Sequence, residues 1–197
     1  MSMTRFVVLL FTSSVICFAS AQEFDLEVIP SNVELDGKSL SGFASTFPNP
    51  QQKIEKALWK YARTFAKLTN ERTHFQIIIA EELNREVNTD LKLYAQILPA
   101  GRNSTFTMAM SDELSSEERS KFDGQVSRLL LDFKKFYYQE MIQDEIKILE
   151  ASILTEGEKY QSKRQMGLAG EDELLAISSY QKEVFALQEK IKSVLAR

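Results

Sequence analysis

The stretch 142-IQDEIKILEASILTEGEKY-160 and its counterpart 177-ISSYQKEVFALQEKIKSV-194 carry the clearest pattern in this chain. In each stretch, apolar residues recur mostly at alternating intervals of three and four residues. That spacing keeps one stripe of a helix against a partner helix. The segment 166–170 separates the two stretches and contains two glycines, residues that commonly end helices. The pattern therefore predicts a C-terminal antiparallel helical hairpin with coiled-coil packing.

The first of these helices is expected to begin well before its heptad pattern. Ser115 and Glu118 have the spacing of a capping box, so we expect one long helix from there to about Gln165. Its first half carries a broad apolar face that suits packing on a domain, and the pair Lys134 and Lys135 is expected to lie on a solvated face. Glu156 and Gly157 are local weak points, where a kink or fraying of the helix is expected. The apolar face consists of Phe122, Val126, Leu129, Leu130, Phe133 and Phe136.

Residues 22–114 have the pattern of a small α+β domain. Alternating apolar and polar residues predict a first strand over 24–35, with a break at Pro30-Ser31-Asn32, and further strands at 39–47, 74–82, 90–98 and 104–111. Asp36-Gly37, after the first strand, is a turn signal. After Pro50, a helical stripe continues as far as Leu68. We therefore expect an antiparallel sheet of about five strands packed by one helix, followed by the helical region 115–197.

The N-terminus resembles a secretory signal peptide. Arg5 precedes an interrupted apolar run, and the triplet Ala19-Ser20-Ala21 matches a cleavage site, so residues 1–21 are expected to be removed. The apolar run is too short for a typical membrane-spanning helix. Cys17 is the only cysteine and would leave with the signal peptide. The sequence therefore predicts an exported protein, periplasmic or extracellular, without a membrane span after cleavage.

Composition and residue types argue against several classes of function. The net charge of −4 comes from 24 basic and 28 acidic residues of interspersed sign, which does not suit nucleic acid. His74 is the only histidine, and no serine lies in a nucleophile-elbow motif, so a catalytic triad is not expected. The candidate carboxylate pairs for glycoside hydrolysis are adjacent in sequence, so in a strand the two side chains point to opposite faces and at a helix start they stabilise the helix dipole, which does not suit that chemistry. They are Glu81/Glu82, Asp112/Glu113 and Glu117/Glu118. We expect no enzyme activity, no metal and no cofactor.

Three segments of the chain resemble a family of exported proteins. These segments are 42-GFASTFPN-49, 54-IEKALWKY-61 and 91-LKLYAQI-97. They are similar to a group of uncharacterised exported proteins of Bacteroidetes-type bacteria. The resemblance implies a small α+β domain followed by a helical or coiled-coil tail, and it implies an envelope location. It carries over no catalytic residue.

Two functions from different classes remain. The first is a protein-interaction or self-association module that contacts its partner, or a second copy of itself, through the end of the hairpin at Leu168, Leu174 and Leu175. Its seam can close within one chain or between two. The alternative is a carrier of a small apolar ligand in a cleft between the sheet and the long helix. That cleft would be lined by Met108, Met110, Phe133, Phe136 and Tyr137.

Overall fold

The computed structural model describes residues 24–35, 37–80 and 91–197. The predicted signal peptide, the turn residue Asp36 and the carboxylates Glu81 and Glu82 lie outside the described residues. The strands are β1 (Ile29–Leu35), β2 (Lys38–Phe47), β3 (Lys67–Glu71), β4 (His74–Ile79), β5 (Leu91–Ala100) and β6 (Asn103–Met110). The helices are α1 (Gln51–Ala62), α2 (Ser116–Gln165) and α3 (Glu171–Ala196). The α+β prediction is confirmed.

The six strands form one sheet in the order β1-β2-β6-β5-β4-β3, and every neighbouring pair is antiparallel. Residues of β5 and β6 alternate between the two faces, as their sequence pattern predicts. One face carries Phe47, Phe106 and Leu93, and α1 and α2 cover it to form the main core. The opposite face has a small second core of Val33, Leu35, Leu40 and Ala109, with Tyr94 against it.

Two strands differ from the predictions. β3 was not predicted, because Leu68 extends the apolar stripe of α1 in sequence. In the structure α1 ends at Ala62, and Leu68 pairs with Ile77 across the ladder between β3 and β4. β1 runs through Pro30, where a break was expected. A proline is tolerated there because β1 is an edge strand and its missing N–H need not face a neighbour.

The segment 24–28 is not a strand, although its alternation predicted one. It lies as a strap against the main core, with Phe24, Leu26 and Val28 packed on it. The Glu27 carbonyl accepts a hydrogen bond from the Ser45 hydroxyl at 2.6 Å, and the Phe24 ring lies 4.7 Å from that of Tyr138. Side-chain contacts replace the ladder that a strand would form.

The long helix α2 contains 50 residues, and its helical conformation continues through Gly157 without interruption. Its residues between Phe122 and Tyr138 contribute to the main core. Beyond Ile142, α2 packs against α3. Val194, near the end of α3, belongs to the same buried cluster as the sheet. α2 is therefore shared between the sheet and a second helix.

Gly42 allows β2 and β6 to approach closely. A Cβ at this position would lie inside contact distance of the Met108 carbonyl oxygen and 2.8 Å from the Ala109 Cα. Both are backbone atoms of the neighbouring strand, so they cannot rotate away. Gly42→Ala is expected to lower the free energy of unfolding by about 1–3 kcal/mol, the usual cost of overpacking. Urea denaturation measures this loss.

Gly157→Ala is the matched control, because a Cβ at that position meets nothing within 4 Å. Alanine is the better helix former, so this variant should be as stable as the wild type or slightly more stable. Equal stability of the Gly42 and Gly157 variants would contradict the close approach of β2 and β6.

Candidate functional site

The end of α2 has a fixed geometry set by a glycine. Gly167 has φ +73°, a left-handed conformation that glycine adopts without strain. The Leu168 N–H donates to the Lys163 carbonyl at 2.9 Å, and the Gly167 N–H donates to the Arg164 carbonyl at 3.1 Å. These two bonds form a Schellman motif, which satisfies the last carbonyls of the helix. Leu168 is therefore held in a defined position directly after the helix.

The start of α3 is held against the end of α2. Lys163 Nζ lies 2.5 Å from Glu173 Oε1, and this ion pair lowers the pKa of Glu173 and raises that of Lys163. Gly170 precedes α3 and lies so close to Tyr160 that a Cβ there would be 2.5 Å from the ring. A side chain at position 170 would require the Tyr160 ring to move. The connection between the two helices is thus held by a charge pair and by the contact of Gly170 with the Tyr160 ring.

Large apolar side chains are exposed at this connection. They are Met166, Leu168, Leu174 and Leu175, with exposed fractions of 63%, 54%, 47% and 70%. We call these four residues the apolar tip. Singly exposed leucines are common on protein surfaces, but a cluster of large apolar side chains marks a candidate contact site. The predicted contact residues Leu168, Leu174 and Leu175 all lie here, and Met166 was missed, although its position beside Leu168 could have indicated it.

The residues predicted to line a sheet-helix cleft lie in the main core. Met108, Met110, Phe133 and Tyr137 are buried, and Phe136 is partly buried against them. The Phe133 ring lies 5.1 Å from that of Phe106 and 5.5 Å from that of Phe47. These separations are typical of packed aromatic pairs. The space between sheet and helix is filled by the chain's own side chains at this point, and a ligand would have to displace them.

Burial also raises the pKa of the phenols in this cluster. Tyr137 and Tyr138 have pKa values raised to about 12, chiefly because burial disfavours the charged phenolate. In the unfolded chain both phenols ionise near pH 10. The folded state therefore keeps them neutral over a pH range in which the unfolded state does not.

Lys134 was expected on a solvated face, and that prediction is wrong. Its side chain is fully buried, with Nζ 3.3 Å from Asp25 Oδ2 and 3.2 Å from the Glu27 carbonyl oxygen. The ammonium also lies 5.6 Å from the centre of the Phe47 ring. Burial lowers its pKa, partly opposed by Asp25. The lysine thus ties the strap to α2, a role that its sequence position does not reveal.

Among the remaining candidate residues, Asp112, Glu113 and His74 each lie against a side chain of a sheet strand. Asp112 pairs with Lys38 at 2.5 Å and Glu113 pairs with Lys92 at 2.7 Å. His74 lies beside the Tyr94 ring at 5.3 Å. Among the described residues, no three His, Cys, Asp or Glu side chains converge on a possible metal site.

Comparison of the chain with protein-family models found no match, and comparison with curated proteins found none either. Within the described residues, neither the long helix α2 nor any other helix is apolar over enough length to cross a bilayer.

Tyr138→Phe tests whether the aromatic cluster is dry. In the wild type, each raised phenol pKa contributes stability that is complete below pH 10 and is lost as the pH rises through about 12. Removing the Tyr138 hydroxyl should reduce this alkaline loss by about 2 kcal/mol or somewhat less. The measurement is urea unfolding of both proteins at pH 8 and at several values up to pH 12. An identical alkaline loss in both proteins would mean that water reaches the cluster.

Lys134→Met tests the attachment of the strap. Methionine has a similar length but cannot bond the Glu27 carbonyl or pair with Asp25, and hydrogen bonds from charged groups contribute about 1.5–3 kcal/mol. Amide hydrogen exchange of residues 24–28 should become about tenfold faster or more. The control is Lys135→Met, whose side chain is only partly buried. Exchange rates that do not differ between the two variants would contradict the role of Lys134.

Proposed function

We propose that this protein is an exported, non-enzymatic interaction module that contacts another protein chain through the apolar tip. In this proposal the second half of α2 and α3 form an antiparallel hairpin with coiled-coil packing, closed within one chain. The observation that carries the proposal is the exposure of Met166, Leu168, Leu174 and Leu175 at one connection. Apolar side chains that desolvate fully on contact are the usual energetic centre of a protein interface.

The connection supports this proposal because it is built to hold its shape. The Schellman motif fixes Leu168, and the ion pair between Lys163 and Glu173 fixes the first turn of α3. A surface that is ordered before binding loses less conformational entropy when the partner arrives. Exposed apolar groups on a rigid turn therefore indicate a binding surface, and not simply apolar residues that the surface tolerates.

The position of the tip also supports the proposal. Ile142 is the last buried residue of α2, and about 35 Å of helix separates it from Gln165 at 1.5 Å per residue. The tip is thereby carried away from the sheet, where a second chain can reach it without meeting the α+β domain. Binding of a second copy and binding of a different envelope protein use the same surface, and the experiment below distinguishes them.

The sequence supports two further parts of the proposal, the exported location and the lack of catalytic activity. The signal-like N-terminus and the resemblance to exported bacterial proteins favour the periplasm, and the single histidine leaves few routes to acid–base or metal chemistry. An interaction role requires none of these routes.

Site-specific photocrosslinking at residue 175 tests the proposal directly. A photoreactive amino acid placed at Leu175 in the producing cell should give one discrete adduct, because that side chain is expected to lie in the interface. A Leu168→Glu change in the same chain should reduce the adduct about tenfold, as expected for loss of an interface anchor. Mass spectrometry of the adduct identifies a second copy or a different protein.

Leu98 provides the matched control, because it is also a leucine with about half of its side chain exposed, at 51%, but it lies on β5. The same photoreactive residue at position 98 should give no discrete adduct. Adduct formation at position 98 equal to that at 175, or an adduct at 175 that Leu168→Glu leaves unchanged, would overturn the proposal.

A further inference from the structure

A groove of about 450 Å³ lies between the strap and the first part of α2. It is lined by Leu26, Val28, Gly124, Ser127, Arg128 and Leu131. The groove is largely open to solvent, so an occupant would be only partly enclosed. The groove is separate from the filled space around Phe133, and it lies at the opposite end of α2 from the apolar tip.

Gly124 leaves one wall of this groove open. It lies inside α2, where a glycine costs about 1 kcal/mol relative to alanine. A Cβ at this position would meet nothing within 4 Å, so no neighbouring group requires glycine for space. Its φ does not lie in the left-handed region either. Packing and backbone conformation therefore do not require glycine here, and its lack of a side chain leaves this wall of the groove open.

Arg128 places a positive charge at the rim. It is exposed, and within the described ranges it forms neither a salt bridge nor a hydrogen bond to another side chain. On the strap, Asp25 pairs with Lys134. The walls of the groove are apolar at Leu26, Val28 and Leu131. The groove thus combines apolar walls with an arginine that forms no ion pair with another described residue.

We propose that this groove binds a linear amphiphile with an anionic head, of the fatty-acid class. The acyl chain lies over Gly124 between Leu131 and the strap residues Leu26 and Val28, and the carboxylate pairs with Arg128. An arginine guanidinium matches a carboxylate in a bidentate geometry, which fixes the direction of the ligand in the groove. The buried Lys134 holds the strap and so keeps the second wall in place.

The probe is laurate, used below its micelle-forming concentration and titrated into the whole protein by isothermal calorimetry. We expect saturable binding of one laurate per chain. Dodecyltrimethylammonium has the same alkyl chain with a cationic head, and it should bind at least about tenfold more weakly, because Arg128 repels it. Arg128→Gln should weaken laurate binding about tenfold and remove this discrimination between the two head groups.

Gly124→Leu should abolish laurate binding by placing a side chain in the groove, while thermal unfolding shows the fold retained, since leucine favours a helix. Gly157→Leu is the matched control, an identical change in the same helix with open space around it, and it should bind laurate as the wild type does. No laurate binding by the wild type, equal binding of the two amphiphiles, or unchanged binding by Gly124→Leu would each overturn the proposal. None of these results bears on the apolar tip.

Discussion

The rest of the structure depends on α2, a helix whose apolar side chains are buried by two different partners. The first part of α2 covers the sheet with Phe122, Phe133 and Tyr137, and the later part packs on α3. A helix of 50 residues that lacked either partner would leave a long apolar stripe in water. Because Val194 of α3 joins the buried cluster of the sheet, both packing regions meet at the same place. The sheet, the strap and the exposed connection are all positioned relative to α2.

The polar groups near this junction show how the packing is completed. Burying a lysine is unfavourable unless its ammonium is paired and hydrogen-bonded, and Lys134 has Asp25 and the Glu27 carbonyl for that purpose. Ser45 donates to the same carbonyl from the sheet. The strap therefore joins the sheet and α2 through one oxygen atom. This arrangement gives the segment a fixed place although it forms no strand, and it creates the groove beside Arg128.

Local sequence patterns predicted the elements whose structure depends mainly on residues close together in the chain. The alternation in β5 and β6, the turn at Gly167 and the exposed leucines of the connection followed from residue spacing and glycine chemistry. β3 could not be predicted, because Leu68 fits the stripe of α1 and only pairing with Ile77 decides against a helix. The burial of Lys134 and the filling of the predicted cleft depend on contacts between residues that are distant in sequence, such as that of Lys134 with Asp25. Such contacts leave no periodic signal.

α2 runs as one continuous helix from the core to the apolar tip. Electron–electron double resonance between spin labels at positions 128 and 158 tests it most directly, with Cys17, the only native cysteine, replaced by serine. A continuous helix predicts a single narrow distribution of distances between the two labels, centred at about 45 Å from a rise of 1.5 Å per residue. A broad distribution or a clearly shorter distance would show that the helix bends or breaks between the sheet and the tip, and it would contradict the account.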